Sequence, residues 1–150
     1  MSWAIEEYAE DAVKAYIASK LTAELLNNYV GWTNEEIKFP CFIVHCGQSS
    51  NLDGLAFGGQ CNLEIKVAVM SEANAVGAVT ARNTNRSYRD AVLTALAMTA
   101  LQDDINALSP VGVVFSLAHI TDMTRSVETD KMVFVSEITV VAIASPKDIP

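Results

Sequence analysis

Gln60-Cys-Asn-Leu-Glu-Ile-Lys-Val-Ala-Val-Met-Ser71 is the stretch whose reading decides the architecture. Successive side chains of an extended chain point to opposite faces. Cys61, Leu63, Ile65, Val67 and Val69 therefore share one face, and Gln60, Asn62, Glu64 and Lys66 share the other. That alternation predicts a strand with one dry and one wetter side. Val67 is expected in the core.

Upstream, Pro40 opens a second strand, Cys41-Phe-Ile-Val-His-Cys46, apolar on both faces. Residues 47–59, with Gly47, Ser49, Ser50, Gly54, Gly58 and Gly59, read as a long hairpin loop. Further upstream, residues 3–27 read as a helix capped by Ser2. Glu6, Glu7, Glu10 and Asp11 crowd its first turns, where the dipole favours acid. Tyr8, Ala12, Ala15, Tyr16 and Leu21 recur near a 3.6-residue period, and Asn27-Asn28 stops the helix. A polar connection with Gly31-Trp32-Thr33 follows. Trp32 either covers the core edge or meets a neighbour.

Downstream, a loop of small residues over 72–84 leads to a helix over 85–108, capped by Thr84 or Asn85. Its middle, Ala91 to Leu101, is apolar nearly all round, which implies burial on two sides and places Leu96 in the core. After Ser109-Pro110, a strand runs from Gly112 to Thr121, a turn spans Asp122 to Asp130, and a last strand spans Lys131 to Ala144. On that strand Met132, Phe134, Ile138, Val140 and Ala142 form one face. Val133, Val135, Val141 and Ile143, with Glu137 and Thr139, form the other. The order α-β-β-α-β-β defines an α+β domain over 1–150: an antiparallel four-stranded sheet with two helices packed on one face. The aliphatic far face of the sheet then predicts self-association.

The chain has 150 residues, enough for one domain, and 51% are hydrophobic, which excludes a disordered chain. Ten basic residues against eighteen acidic give a net charge of −8, the wrong sign for a generic nucleic-acid binder. Neither apolar run, Ala91–Leu101 or Val133–Ala144, reaches the roughly 18 residues of a spanning helix. The start, Met-Ser-Trp-Ala-Ile-Glu-Glu, lacks the basic and apolar regions of a signal peptide, which predicts a cytoplasmic protein.

No catalytic, cofactor or metal site is expected. Cys41 and His45 share one strand face while Cys46 points the other way, which spoils a zinc cage. The histidines are His45 and His119. His119 with Asp122 and Ser49 or Ser50 forms no nucleophile motif, since no G-x-S-x-G elbow accompanies them. Gly58-Gly59 precedes a strand, not the helix a phosphate cradle requires. The adjacent acid pairs Glu6-Glu7, Glu10-Asp11, Glu35-Glu36 and Asp103-Asp104 diverge on a helix and read as solvated surface.

One charge pattern breaks a local rule. Arg82, Arg86 and Arg89 lead into the second helix, where the dipole disfavours cations, and Asp103 and Asp104 sit near its end. Arg82, Arg86 and Arg89 are therefore candidate contacts to an acidic partner, with Glu6, Glu7, Glu10 and Asp11 of a neighbouring copy as the acid.

The element order also resembles the tail terminator (tail completion) proteins of long-tailed bacteriophages. The resemblance is one of pattern and spans nearly the whole chain. It takes in the N-terminal helix, Phe39-Pro-Cys-Phe-Ile-Val-His and its long hairpin loop, and Cys61-Asn-Leu-Glu-Ile-Lys-Val-Ala-Val. Ala81-Arg82-Asn83, Tyr88-Arg-Asp-Ala-Val-Leu-Thr-Ala-Leu and a closing hairpin ending Ser136-Glu-Ile-Thr-Val-Val-Ala complete it. It implies a non-enzymatic virion component at the head-proximal end of the tail, assembled in the bacterial cytoplasm. Such a protein forms a homo-oligomeric, hexameric ring on the tail tube protein. It stops tube growth, meets the head–tail connector protein, and lets DNA pass without sequence-specific binding. Two other roles stay open: a head–tail adaptor, and a small homo-oligomeric ligand-binding or enzymatic α+β domain.

The thiol pattern makes a direct prediction. Cys41, Cys46 and Cys61 stay reduced and hold no zinc; elemental analysis after dialysis checks this, and one zinc per chain refutes it.

Overall fold

Cys61–Glu72 forms β3, and the rest of the sheet is assembled around it. In the computed structural model, residues 5–21, 26–31, 36–50, 61–72, 78–97, 113–128 and 133–146 are described. The elements are α1 (Ile5–Lys20), β1 (Asn27–Val30), β2 (Cys41–Ser50), β3, α2 (Ala78–Leu96), β4 (Val113–Glu128) and β5 (Val133–Pro146). The sheet order is β1-β2-β3-β5-β4. The four long strands are antiparallel, and α1 and α2 cover the same face, α1 over β1 and β2, α2 over β3 and β5. This is the α+β architecture that the alternating strands predict.

The registers explain the core. Val67 lies opposite Val44 on one side and Ile138 on the other; Ile65 lies opposite Cys46 and Val140. Phe42, Val44, Cys46, Leu63, Ile65, Val67, Val69, Ile138, Val140 and Ala142 all point to the helix side and are buried. From α1, Ala9, Ala12, Val13, Tyr16 and Ile17 meet them, and from α2, Val92, Ala95 and Leu96. Each fully buried Val, Leu or Ile stabilises the fold by about 1.5–3 kcal/mol relative to exposure. The Tyr16 hydroxyl donates to the Ala95 carbonyl at 2.5 Å and ties the two helices together.

One end of the core is polar and fully satisfied. The Asn85 amide donates to Ser71 Oγ at 2.9 Å and to the Phe134 carbonyl at 3.2 Å. Ser136 Oγ donates to Asn85 Oδ1 at 3.0 Å. These groups come from α2, β3 and β5, so they fix the helix against both strands.

The sequence reading needs several corrections. A fifth strand, β1, runs parallel to β2 where the helix stop and a polar connection were expected, and α1 ends at Lys20 instead of residue 27. Asn27 and Tyr29 hold it in place. The Asn27 backbone N–H and side-chain amide donate to the Pro40 carbonyl at 3.1 and 3.3 Å, and the Tyr29 hydroxyl accepts from the Lys38 N–H at 3.1 Å. The second helix starts at Ala78, not residue 85: small residues suggest a loop, but Ala is the best helix former. Its described part has one buried side, since Thr94 and Ala97 are exposed. β2 continues through Gln48-Ser49-Ser50 because these residues pair with Glu64, Leu63 and Asn62. β4 continues through Asp122–Glu128, where a turn was expected, because β5 pairs with that whole segment. Ser2, Trp32, most of the 47–59 loop, Asp103-Asp104 and the rest of the expected 85–108 helix beyond residue 97 lie outside the described residues.

Leu96 is 2% exposed and Val67 fully buried, as the sequence predicts. Leu96→Ala is expected to lower unfolding stability by about 2–5 kcal/mol. Denaturant titration checks this, and a loss below about 1 kcal/mol contradicts the packing of α2.

Candidate assembly surfaces

The first surface is the sheet face opposite α1 and α2. Ile43, Ala68, Met70, Val135, Val141 and Ile143 lie on it, but each is half-buried, and Cys41 and Val133 on the same face are buried. The openly aliphatic stripe expected from the sequence is therefore absent among these residues. Ile37 is the exposed large apolar side chain among the described residues. The charge on this face is self-paired: Lys66 Nζ lies 3.8 Å from Glu64 and 3.6 Å from Glu137. All three side chains are about two-fifths exposed, a setting in which ion pairs contribute little.

Cys41 and His45 share this face, while Cys46 joins the core cluster on the other, as the strand alternation requires. Burial pushes the Cys41 thiol up to about 11, so it stays protonated at neutral pH. The side chains of Cys61, His119, Asp122, Ser49 and Ser50 lie outside the described ones.

The second surface is acidic α1. Glu7 and Asp11 are exposed and Glu6 is half-buried. Glu10 does not belong with them. It is 4% exposed, and its Oε2 accepts the Cys46 backbone N–H at 3.0 Å and lies 3.4 Å from His45 Nδ1. Sheet geometry explains this. The Gly31 N–H donates to the Val44 carbonyl at 2.9 Å, and β1 ends there. Groups two residues apart on a strand point the same way, so the Cys46 N–H is the next donor on that edge and has no β1 residue to meet. The Glu10 carboxylate takes it. Gly31 is also required here, because a Cβ at that position would overlap the His45 ring. Glu10 is thus an internal tie between α1 and β2, which corrects its reading as a solvated or intersubunit acid. Its place on the buried side was available in the sequence, because Glu10 precedes Val13 and Ile17 by three and seven residues.

The third surface is the arginine stripe. Arg82, Arg86 and Arg89 fall at i, i+4 and i+7 on α2, so they share one flank of the helix. With the helix starting at Ala78, they lie beyond its first turn, where the dipole has faded. The reversed charge order therefore explains less than the sequence suggested. Arg82 and Arg86 are exposed. The Arg89 side chain is only 12% exposed and lies 3.4 Å from Asp90.

Neither a protein-family model nor a curated protein matches the chain. Among solved structures, a chain of the "virion of native gene transfer agent (GTA) particle" has the same fold. Its TM-score is 0.55 at 13% identity, over 96% of this chain and 99% of that one. At that identity the likeness is one of fold.

Burial raises the Glu10 pKa above 4.5, opposed by the Cys46 N–H bond and by His45. A raised carboxyl pKa means that the folded state holds the proton more tightly. The resulting stability is complete below the unfolded value and lost as pH rises through the folded one. Glu10→Gln keeps an acceptor for Cys46 and removes the titration. Its stability relative to wild type should therefore increase as pH rises from about 4.5 to neutrality. Melting temperatures across that range check this, and parallel profiles contradict it.

Proposed function

We propose that the protein is a structural subunit of a phage-like virion, and specifically a tail terminator. In this role it forms a ring on the head-proximal end of the tail tube, ends tube growth and presents a joining surface to the head. The observation that carries the reading is the fold shared over nearly both full lengths with a chain of a gene transfer agent virion. The tail-terminator part of the reading is supported by the element order read from sequence, which resembles that family.

The physics of the chain suits the role. A ring is a closed set of heterologous contacts, so each subunit needs two different surfaces. A channel that DNA crosses must not hold phosphate, and a net charge of −8 repels it. The work is positional, with no bond made or broken, and the proposal assigns no catalytic residue or cofactor. The partners are further copies of the chain, the tail tube protein and the head–tail connector.

A head–tail adaptor shares the fold support, and one experiment separates the two. Purified protein is added to the polymerising cognate tube protein, and tube lengths are measured by negative-stain microscopy. A terminator caps the tubes and shortens their length distribution as its concentration rises. An adaptor leaves tube length unchanged and binds connector. A chain that does neither, and stays monomeric by mass photometry with and without tubes, overturns the virion reading.

A further inference from the structure

α1 and α2 carry opposite charges at matched spacing. Arg82 and Arg86 on α2 are exposed and four residues apart; Glu7 and Asp11 on α1 are exposed and four residues apart. Four residues of helix rise about 6 Å, so the two pairs span the same length. Like charges at this spacing repel within their own helix. Glu7 gains from the positive end of α1, but the arginines lie past the first turn of α2 and have no such offset. Among the described residues, neither Arg82 nor Arg86 makes an ion pair. Asp90, four residues beyond Arg86, lies against Arg89 instead. No described ion pair links α1 to α2, although the helices touch through Tyr16 and Ala95.

We infer that Arg82 and Arg86 of one copy seat against Glu7 and Asp11 of the next, so that the two helix stripes form the plus and minus sides of a head-to-tail contact between identical chains. This rests on the ring reading above and gives that ring its polarity. The occupant is a second copy because the chain itself supplies the complementary acid at the right spacing. Two different patches on each subunit are also what a heterologous contact needs. Glu10 and Arg89 take no part, the first held inside by Cys46 and the second largely covered.

Charge-swap self-association tests the pairing, using the full chain. Wild type is compared with Arg82→Glu/Arg86→Glu, with Glu7→Arg/Asp11→Arg, and with the fourfold swap, by sedimentation velocity. All substituted positions are exposed, and matching circular dichroism and melting temperature establish folding. Arg82→Gln/Arg86→Gln provides a milder variant. Each double reversal should weaken association at least about tenfold, since two exposed pairs change from attraction to repulsion. The fourfold swap, with complementarity restored, should return to within about threefold of wild type. Raising salt from about 0.1 M to about 1 M shortens the Debye length from about 10 Å to about 3 Å and should weaken wild-type association. If the double reversals associate like wild type, or the fourfold swap fails to recover, the pairing is wrong and the ring reading survives. If wild type itself never associates, alone or on tubes, both fall.

Discussion

β3 is the member against which every other register is set. It has long partners on both sides, and its period-two alternation leaves only one way to put Leu63, Ile65, Val67 and Val69 under the helices. A slip of one residue would send Lys66 and Glu64 into the core and four aliphatic side chains out of it. Once β3 is fixed, Phe42, Val44 and Cys46 on β2 and Ile138, Val140 and Ala142 on β5 follow, and the two helices have one apolar floor to cover. The Asn85–Ser71–Ser136 network then pins α2 along that floor, because a shifted helix would strand buried polar groups.

The parts of the fold legible in the sequence are those whose signal is periodic and local. The two faces of β3 and of β5 could be assigned residue by residue, and the helix face of α1 followed from its spacing. Non-local pairing hid the rest. β1 is four residues long and is a strand only because β2 lies beside it and residues 38–40 fold back onto Asn27. The far end of β4 alternates polar and apolar residues weakly, and its ladder to β5 overrides the turn-forming Asp122 and Ser126. Glu10 illustrates the limit for the site. As one of a run of acids it looks like solvated helix, and its internal role depends on where a strand elsewhere stops. Arg82, Arg86, Glu7 and Asp11, by contrast, are as exposed as their sequence context suggests.

The candidate surfaces differ in what they ask of a partner. The described residues of the sheet face opposite α1 and α2 are buried or half-buried, and Lys66 there sits between Glu64 and Glu137, so they offer little directional information. The helix stripes carry sign and spacing. The proposed pairing therefore puts directional recognition on the helix layer, where the arginine pattern of the sequence already pointed, and not on the apolar far face, the other surface the sequence suggested. That layer is also where α1 and α2 are held rigidly, through Tyr16, Asn85 and Glu10, and a rigid charged stripe loses less entropy on docking than a mobile one.

The position of β5 has a consequence for how the sheet is completed. It follows β4 in the chain but lies between β3 and β4. β4 has no other strand neighbour among the described residues. Until β5 inserts, β3 keeps an open edge and the sixteen residues of β4 have nothing to pair with. A chain interrupted before Val133 would therefore lose two strands from the sheet at once, and would expose a long unpaired edge of the kind that templates aggregation. The last hairpin acts as a keystone: premature termination yields sticky debris instead of a smaller working subunit.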